Sequence, residues 1–202
     1  MAAITTYPAT GDPAALLVLA HGAGAGQKHP FMVAVARELS ARGVDVATFD
    51  FPYMAAGRSA PDRAPVLEQA FRDAIDAGRQ WSGAGRLFIG GKSMGGRIAT
   101  HLGAQGVDRL SGIVALGYPL HPPGKPDQLR AAHLPSIGVP MLIVQGERDT
   151  FGTPAELEPV VATMRATVTL HIVAGGDHSL AVRRRTSGDI YDVIHRWMAA
   201  TP

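Results

Sequence analysis

The 202-residue chain contains no cysteine. Disulfide staples, thiol nucleophiles and cysteine metal sites are therefore excluded, and a reducing, cytoplasmic setting is expected. The longest apolar run, Ala14 to Ala20, is too short to span a bilayer. The opening MAAITTYPATGDP has neither a basic start nor an apolar segment, so no secretory signal is read there. Aromatics make up 6% and charged residues 18%, with a formal net charge of +2. No basic stripe alternates with aromatics, which argues against a nucleic-acid partner, and nothing points to a membrane. The one basic run, Arg183-Arg184-Arg185, reads as a solvated loop or helix start. His29, His101, His121, His133 and His195 show no ligand spacing with carboxylates, so neither a metal nor a cofactor is expected. His171, inside a strand-like segment, reads as a packed or surface residue. Nothing in the sequence specifies an oligomeric state.

What is present is regular alternation. A chain of this length makes one domain, residues 1–202, with a sizeable core. The 24 glycines and 15 prolines fall between periodic segments, as turns. Ala15 to Ala20 is apolar at every position, the pattern of a strand buried on both faces. Further strands are read at Val44 to Phe49, Arg86 to Gly90, Gly112 to Gly117, Met141 to Gln145 and Val168 to Val173. Helical spacing links Phe31, Met32, Val35 and Leu39. Residues 62–81 form a second helix, with Val66, Leu67, Ala70, Phe71, Ala74 and Ile75 in one stripe. A third helix after Ser93 carries Ile98 and Leu102. Thr153-Pro154-Ala155-Glu156 has the form of a capping box with proline at the first helical position, followed by Leu157, Val160, Val161 and Met164. Ser187 is placed to cap a last helix with Ile190, Val193, Ile194 and Trp197 inward. The fold class is α/β, a mostly parallel sheet of about six to seven strands with helices on both faces. Residues 118–137 are Pro-rich and too short for a lid domain.

In such sheets ligands bind beyond the carboxyl ends of the strands. Four segments fall there: His21-Gly22-Ala23-Gly24-Ala25-Gly26, Ser93, Gly146-Glu147-Arg148-Asp149 and Gly175-Gly176-Asp177-His178. Ser93 lies in LFIGGKSMGGRIA, a strand, a G-x-S-x-G turn and a helix, the context of a nucleophile elbow. The motif alone is common by chance. The chain order Ser, Asp, His along one sheet edge is the order of the α/β-hydrolases. For the acid, Asp149 competes with Glu147 on the same turn and with Asp177 beside His178. His21 ends a strand and reads as structural, bonding the glycine-rich loop. Two other readings fail. Gly91-Lys92-Ser93 looks like the end of a P-loop, but its first glycine position holds Arg86 and the intervening residues are strand-like. Gly22-x-Gly24 starts a dinucleotide fingerprint, but the third glycine position holds Gln27.

The runs HGAGAG, DFPYM, GGKSMGGR, GYPLHPPGKP, QGERDTFG and GGDHSL resemble the α/β-hydrolase superfamily over nearly the whole length. The last four are most similar to a small, lid-poor, dienelactone-hydrolase-like branch. Of the antiparallel strands that larger members carry first, only Ile4 to Tyr7 is available. The resemblance implies a serine hydrolase of carboxylic esters or thioesters with a small-molecule acyl substrate. Ser93 would be the nucleophile, His178 its general base and acid, and Asp149 the residue orienting the imidazole. The N–H groups of Ala23 and Met94 would form the oxyanion hole. The glycine-rich loop and residues 51–58 and 118–133 are expected to wall the pocket. Phe51, Tyr53, Met54, Tyr118 and Leu120 would supply apolar surface there. Arg58 would hold an anionic acyl group or else face solvent. With no lid the site should be open. The alternative uses are a binding or scaffold module without turnover and a triad-based acyltransferase or perhydrolase. Haloalkane dehalogenation is excluded because it needs a carboxylate at the elbow.

Overall fold

The structure is a computed structural model that describes residues 3–182, 185–186 and 189–202. The Arg183–Arg185 run and the Ser187 cap lie partly or wholly outside the described residues. Seven strands form one sheet: β1 (Ile4–Tyr7), β2 (Ala15–Ala20), β3 (Val44–Phe49), β4 (Leu87–Lys92), β5 (Leu110–Leu116), β6 (Met141–Gly146) and β7 (Val168–Val173). Their order is β1-β3-β2-β4-β5-β6-β7. All neighbours run parallel except β1, which pairs antiparallel with β3 at the edge. Ile4–Tyr7 is therefore the single leading antiparallel strand.

Among the described residues six helices complete the main elements: α1 (Pro30–Ser40), α2 (Pro52–Ala55), α3 (Ala64–Trp81), α4 (Met94–Gln105), α5 (Pro154–Val161) and α6 (Asp189–Ala200). Strand pleating decides the layers, because successive side chains point to opposite faces. Leu16, Val18 and Ala20 pack in one core layer with Leu67 and Phe71 of α3, Ile98 and Leu102 of α4 and Leu157 of α5. Ala15, Leu17 and Leu19 pack in the other with Val35 and Leu39 of α1 and Ile194 and Met198 of α6. Each residue of β2 is buried, as its unbroken apolar run requires.

The α5 cap forms as expected: Thr153 accepts from the Glu156 N–H, and Glu156 accepts from the Thr153 N–H. The α3 stripe is narrower than its spacing suggests, since Val66 is 46% exposed while Leu67, Phe71, Ala74, Ile75 and Gly78 are buried. Two elements carry no periodicity and were not anticipated. One is the single turn α2; the other is a pair of two-residue antiparallel strands, β8 (Ala181–Val182) and β9 (Arg185–Thr186). Residues 118–137 contain only a 3₁₀ turn at Leu134–Ser136 among regular elements. Among the described residues no helix is long and apolar enough to cross a membrane.

The topology locates the site. From β2 the chain moves outward to β3, then returns past β2 to β4. β2 and β4 are thus neighbours whose onward connections leave in opposite directions, which opens a crevice beyond their carboxyl ends. The glycine-rich loop and Ser93 both emerge there.

Candidate active site

β4 ends at Lys92 and α4 begins at Met94, so Ser93 alone makes the turn. Its backbone sits at φ 50°, ψ −115°. A residue with a side chain held there stores about 1–3 kcal/mol of strain. The flanking glycines are needed for contact as well as conformation. A Cβ on Gly91 would lie 2.5 Å from the Ala20 carbonyl oxygen, and one on Gly95 would overlap that same oxygen and come within 2.7 Å of His21 O. The elbow can therefore press against the end of β2 only with glycine at both positions. Ser93 makes no capping hydrogen bond to α4. Its Oγ instead lies 2.8 Å from His178 Nε2.

His178 Nδ1 lies 2.9 Å and 2.8 Å from the two oxygens of Asp149. Asp149 is fully buried, and each oxygen takes a second donor: Oδ1 accepts from Phe151 N–H at 2.8 Å and Oδ2 from Gln145 Nε2 at 2.9 Å. With Nδ1–H donated to Asp149, Nε2 is the acceptor that faces Ser93. The competing acids are placed elsewhere. Glu147 accepts from the Gly175 N–H at 2.6 Å, and Asp177 Oδ1 accepts from the amides of Ser179 and Ala181. The Phe151 ring stacks on His178 at 4.1 Å between centroids.

Ala23 and Met94, whose amides were singled out in the sequence, both line the cavity that contains Ser93. Met94 N–H is the first of its helix, and Gly22 brings the Ala23 turn against Ser93, where an added Cβ would be 3.5 Å from Ser93 Cβ. Neither N–H bonds a backbone carbonyl among the described residues. His21 is structural, as read: its Nδ1–H donates to Gly22 O at 2.8 Å and its Nε2 accepts from Phe51 N–H at 3.0 Å. Burial lowers its pKa, so it remains a neutral brace between the glycine-rich loop and the end of β3.

A cavity of about 990 Å³ opens over Ser93, at the upper end of small-molecule sites. Its walls differ from the expectation. The glycine-rich loop contributes, as do Pro119 and Arg130 of the expected 118–133 segment, but so do the first turns of α1 and α3, through Phe31, Met32 and Leu67, and the loop carrying Phe151. Tyr53, Tyr118 and Leu120 do not line it; all three are fully buried. The turn of α2 tucks Tyr53 against His21, where the rings lie 6.0 Å apart. Tyr118 donates its hydroxyl to Arg130 O at 2.7 Å, with burial pushing the phenol up to about 12. Leu120 packs against Gly152. Arg58 is 54% exposed and pairs with Asp62, and only the aspartate reaches the cavity wall. No residue of 51–58 lines it. Among the described residues no cluster of three histidines or acids forms a metal-binding group.

The sequence reading passed over Gln145 and Lys92. Gln145 is fully buried, and besides Asp149 it bonds Gly152 O at 2.7 Å and Tyr118 N–H at 2.7 Å, fixing the turn that carries the acid. A polar residue closing the apolar run Met141 to Val144 was its only signal. Lys92 Nζ donates to His178 O at 2.6 Å and so anchors the histidine loop to the strand that carries the serine. Burial lowers its pKa to about 8, against the pull of Asp149 and Asp177. Between about pH 8 and the ordinary lysine value the unfolded chain holds a proton that the native protein has released, so stability rises with pH across that window. Relative to Lys92→Met, the wild type should gain up to about 3 kcal/mol between pH 7 and 10.5, at ~1.4 kcal/mol per unit. Urea unfolding of both proteins at several pH values measures this; a constant difference would contradict it.

The fold agrees with the comparisons. Residues 13–201 match the family model described as an alpha/beta hydrolase domain, and the chain belongs to that family. Among solved structures it is similar to an alpha-beta serine hydrolase homologue from Coxiella burnetii, with a TM-score of 0.79, 14% identity, and 96% of this chain and 90% of that one covered. It is also similar to Est1E from Butyrivibrio proteoclasticus with ferulic acid bound (TM-score 0.80, 14% identity, 98% and 94% covered). The dienelactone hydrolase from Anabaena variabilis gives a TM-score of 0.78 at 18% identity, with 98% and 91% covered.

Proposed function

We propose that the protein is a cytoplasmic serine hydrolase that cleaves a carboxylic ester or thioester of a small substrate through an acyl-enzyme on Ser93. The observation that carries this reading is the unbroken series Asp149–His178–Ser93, each link at 2.8–2.9 Å, ending in a cavity. A serine hydroxyl is a weak nucleophile at neutral pH. As Ser93 Oγ attacks the acyl carbon, His178 Nε2 takes its proton, and the imidazolium so formed is held by buried Asp149. The carbonyl oxygen becomes an oxyanion that the N–H groups of Ala23 and Met94 would stabilise. His178 then returns the proton to the departing alcohol or thiol, leaving the acyl group on Ser93. Water enters by the same steps in reverse and releases the acid. The Est1E and dienelactone hydrolase names, read alongside the shared fold, favour ester over amide substrates.

The test is covalent labelling by a fluorophosphonate. The wild type is expected to be labelled and Ser93→Ala is not. Equal labelling of the two would remove Ser93 as nucleophile, and a folded wild type that resists labelling would favour a binding module.

A further inference from the structure

Building on the hydrolase reading, we propose that the cavity recognises an anionic group, a carboxylate or phosphate carried by the ester substrate, through Arg97 and Arg130. Both side chains line the cavity that contains Ser93 and His178. Arg97 lies one helical turn beyond the nucleophile, its N–H donating to Ser93 O at 3.0 Å. Its guanidinium is held on one side only, where Nη1 donates to His101 Nε2 at a long 3.4 Å. Its Nε is buried with no hydrogen-bond partner.

Arg130 comes from the other side, on a loop fixed at its backbone. Its N–H donates to Leu120 O at 2.7 Å and its carbonyl accepts from the Tyr118 hydroxyl. The buried Tyr118 and Leu120 thus hold in place the segment that presents Arg130. The two guanidinium charges are close enough that Arg130 adds to burial in lowering the pKa of Arg97. No carboxylate lies within 4.0 Å of either guanidinium among the described residues, although other arginines are paired.

Most of the neighbouring groups are engaged elsewhere. Glu68, whose charge reaches Arg97, gives its oxygens to His101 and Gln105. Asp62 Oδ1 accepts from Arg58 while its Oδ2 is buried without a hydrogen-bond partner, Asp177 accepts backbone amides, and Lys92 Nζ donates to His178 O. Burial pushes His133 down to about 4, so it is neutral near pH 7. Two like charges therefore share one cavity with no carboxylate paired to either, although Asp62 and Asp177 also line it. A planar guanidinium pairs bidentately with carboxylate or phosphate, so such a group in the cavity offsets the repulsion between the two arginines. The apolar walls at Phe31, Met32 and Leu67 leave room for the rest of the substrate.

Calorimetry on the Ser93→Ala protein separates this from turnover. Glutarate and inorganic phosphate are titrated, with the neutral glutaramide as control, into the parent and into derivatives carrying Arg130→Gln, Arg97→Gln or Arg130→Lys. At least one anion is expected to bind, glutaramide is not, and either glutamine substitution should weaken the anion about tenfold or more, with partial recovery in Arg130→Lys. Preference for glutarate or for phosphate tells which anion the substrate carries. Absence of binding by both anions, equal binding of glutaramide, or undiminished binding in Arg130→Gln would overturn the proposal. Arg130 lies on a loop, so that variant remains informative if Arg97→Gln misfolds. Fluorophosphonate labelling of the wild type decides the hydrolase reading independently.

Discussion

Ser93→Ala is expected to lower kcat for p-nitrophenyl acetate by about 10⁶-fold while the protein stays folded. The size follows from the dependence of each step on the others. Without Oγ there is no acyl-enzyme, and His178 has no hydroxyl to deprotonate, so the imidazole and Asp149 lose their function together. A residual rate above water, about 10³–10⁴-fold, is expected to persist because the Ala23 and Met94 amides still meet a developing oxyanion. The fold survives because Ser93 Oγ bonds only His178 and its amide bond to Leu116 O is unaffected. Alanine keeps the Cβ, and with it the strain of the positive φ. Ser93→Gly removes both, and should be more stable than Ser93→Ala by ~1 kcal/mol. For a domain of this size that is a rise of about 2–4 °C in Tm. Equal melting of the two variants would mean that the elbow stores no strain.

The elbow was legible in the sequence because its demands are local. A strand, a turn with glycine two positions to either side of the serine, and a helix are all adjacent in the chain. The order of Ser93, Asp149 and His178 was legible because parallel strands deliver their following loops to one edge. The oxyanion loop was legible for the same reason, since Ala20 ends the strand beside β4. Pocket walls follow a different rule. Tyr53, Tyr118 and Leu120 come just after strand ends, where wall residues are expected. Yet each turns into the core: α2 folds Tyr53 under His21, and Tyr118 is held by Arg130 O. Whether a loop residue faces the cavity or the core depends on long-range packing, which carries no period. Arg97 was hidden for a related reason. On α4 its neighbours Ile98 and Leu102 define the buried face, and only the tertiary placement of residues 118–133 shows that the next face over looks into a cavity. Gln145 and Lys92 were hidden because each lies at or next to the end of a strand that reads as buried without them.

Asp149→Asn is expected to lower kcat about 10⁴-fold, with Glu147→Gln and Asp177→Asn remaining within severalfold of wild type. The reason lies in the donors around the carboxylate. Oδ1 receives Phe151 N–H and Oδ2 receives the Gln145 amide, while His178 Nδ1–H addresses both. An asparagine must place its NH₂ at one of these two positions, so a donor meets a donor whichever way the amide turns. If the NH₂ displaces Gln145, the side chain that also ties Gly152 and Tyr118 loses one anchor. If it faces Phe151, the turn after β6 must open. Either way His178 loses the charge that holds Nδ1 protonated, and the tautomer with its hydrogen on Nε2 cannot accept from Ser93. The stacking of Phe151 on His178 at 4.1 Å constrains the ring but does not choose its tautomer. Because the loss arises from the wrong protonation state rather than from lost binding, it should appear in kcat with KM little changed. A steady-state comparison of the three variants on one short-chain ester decides among the acids. Full activity in Asp149→Asn, or a comparable loss in Asp177→Asn, would assign the orienting carboxylate to a different residue.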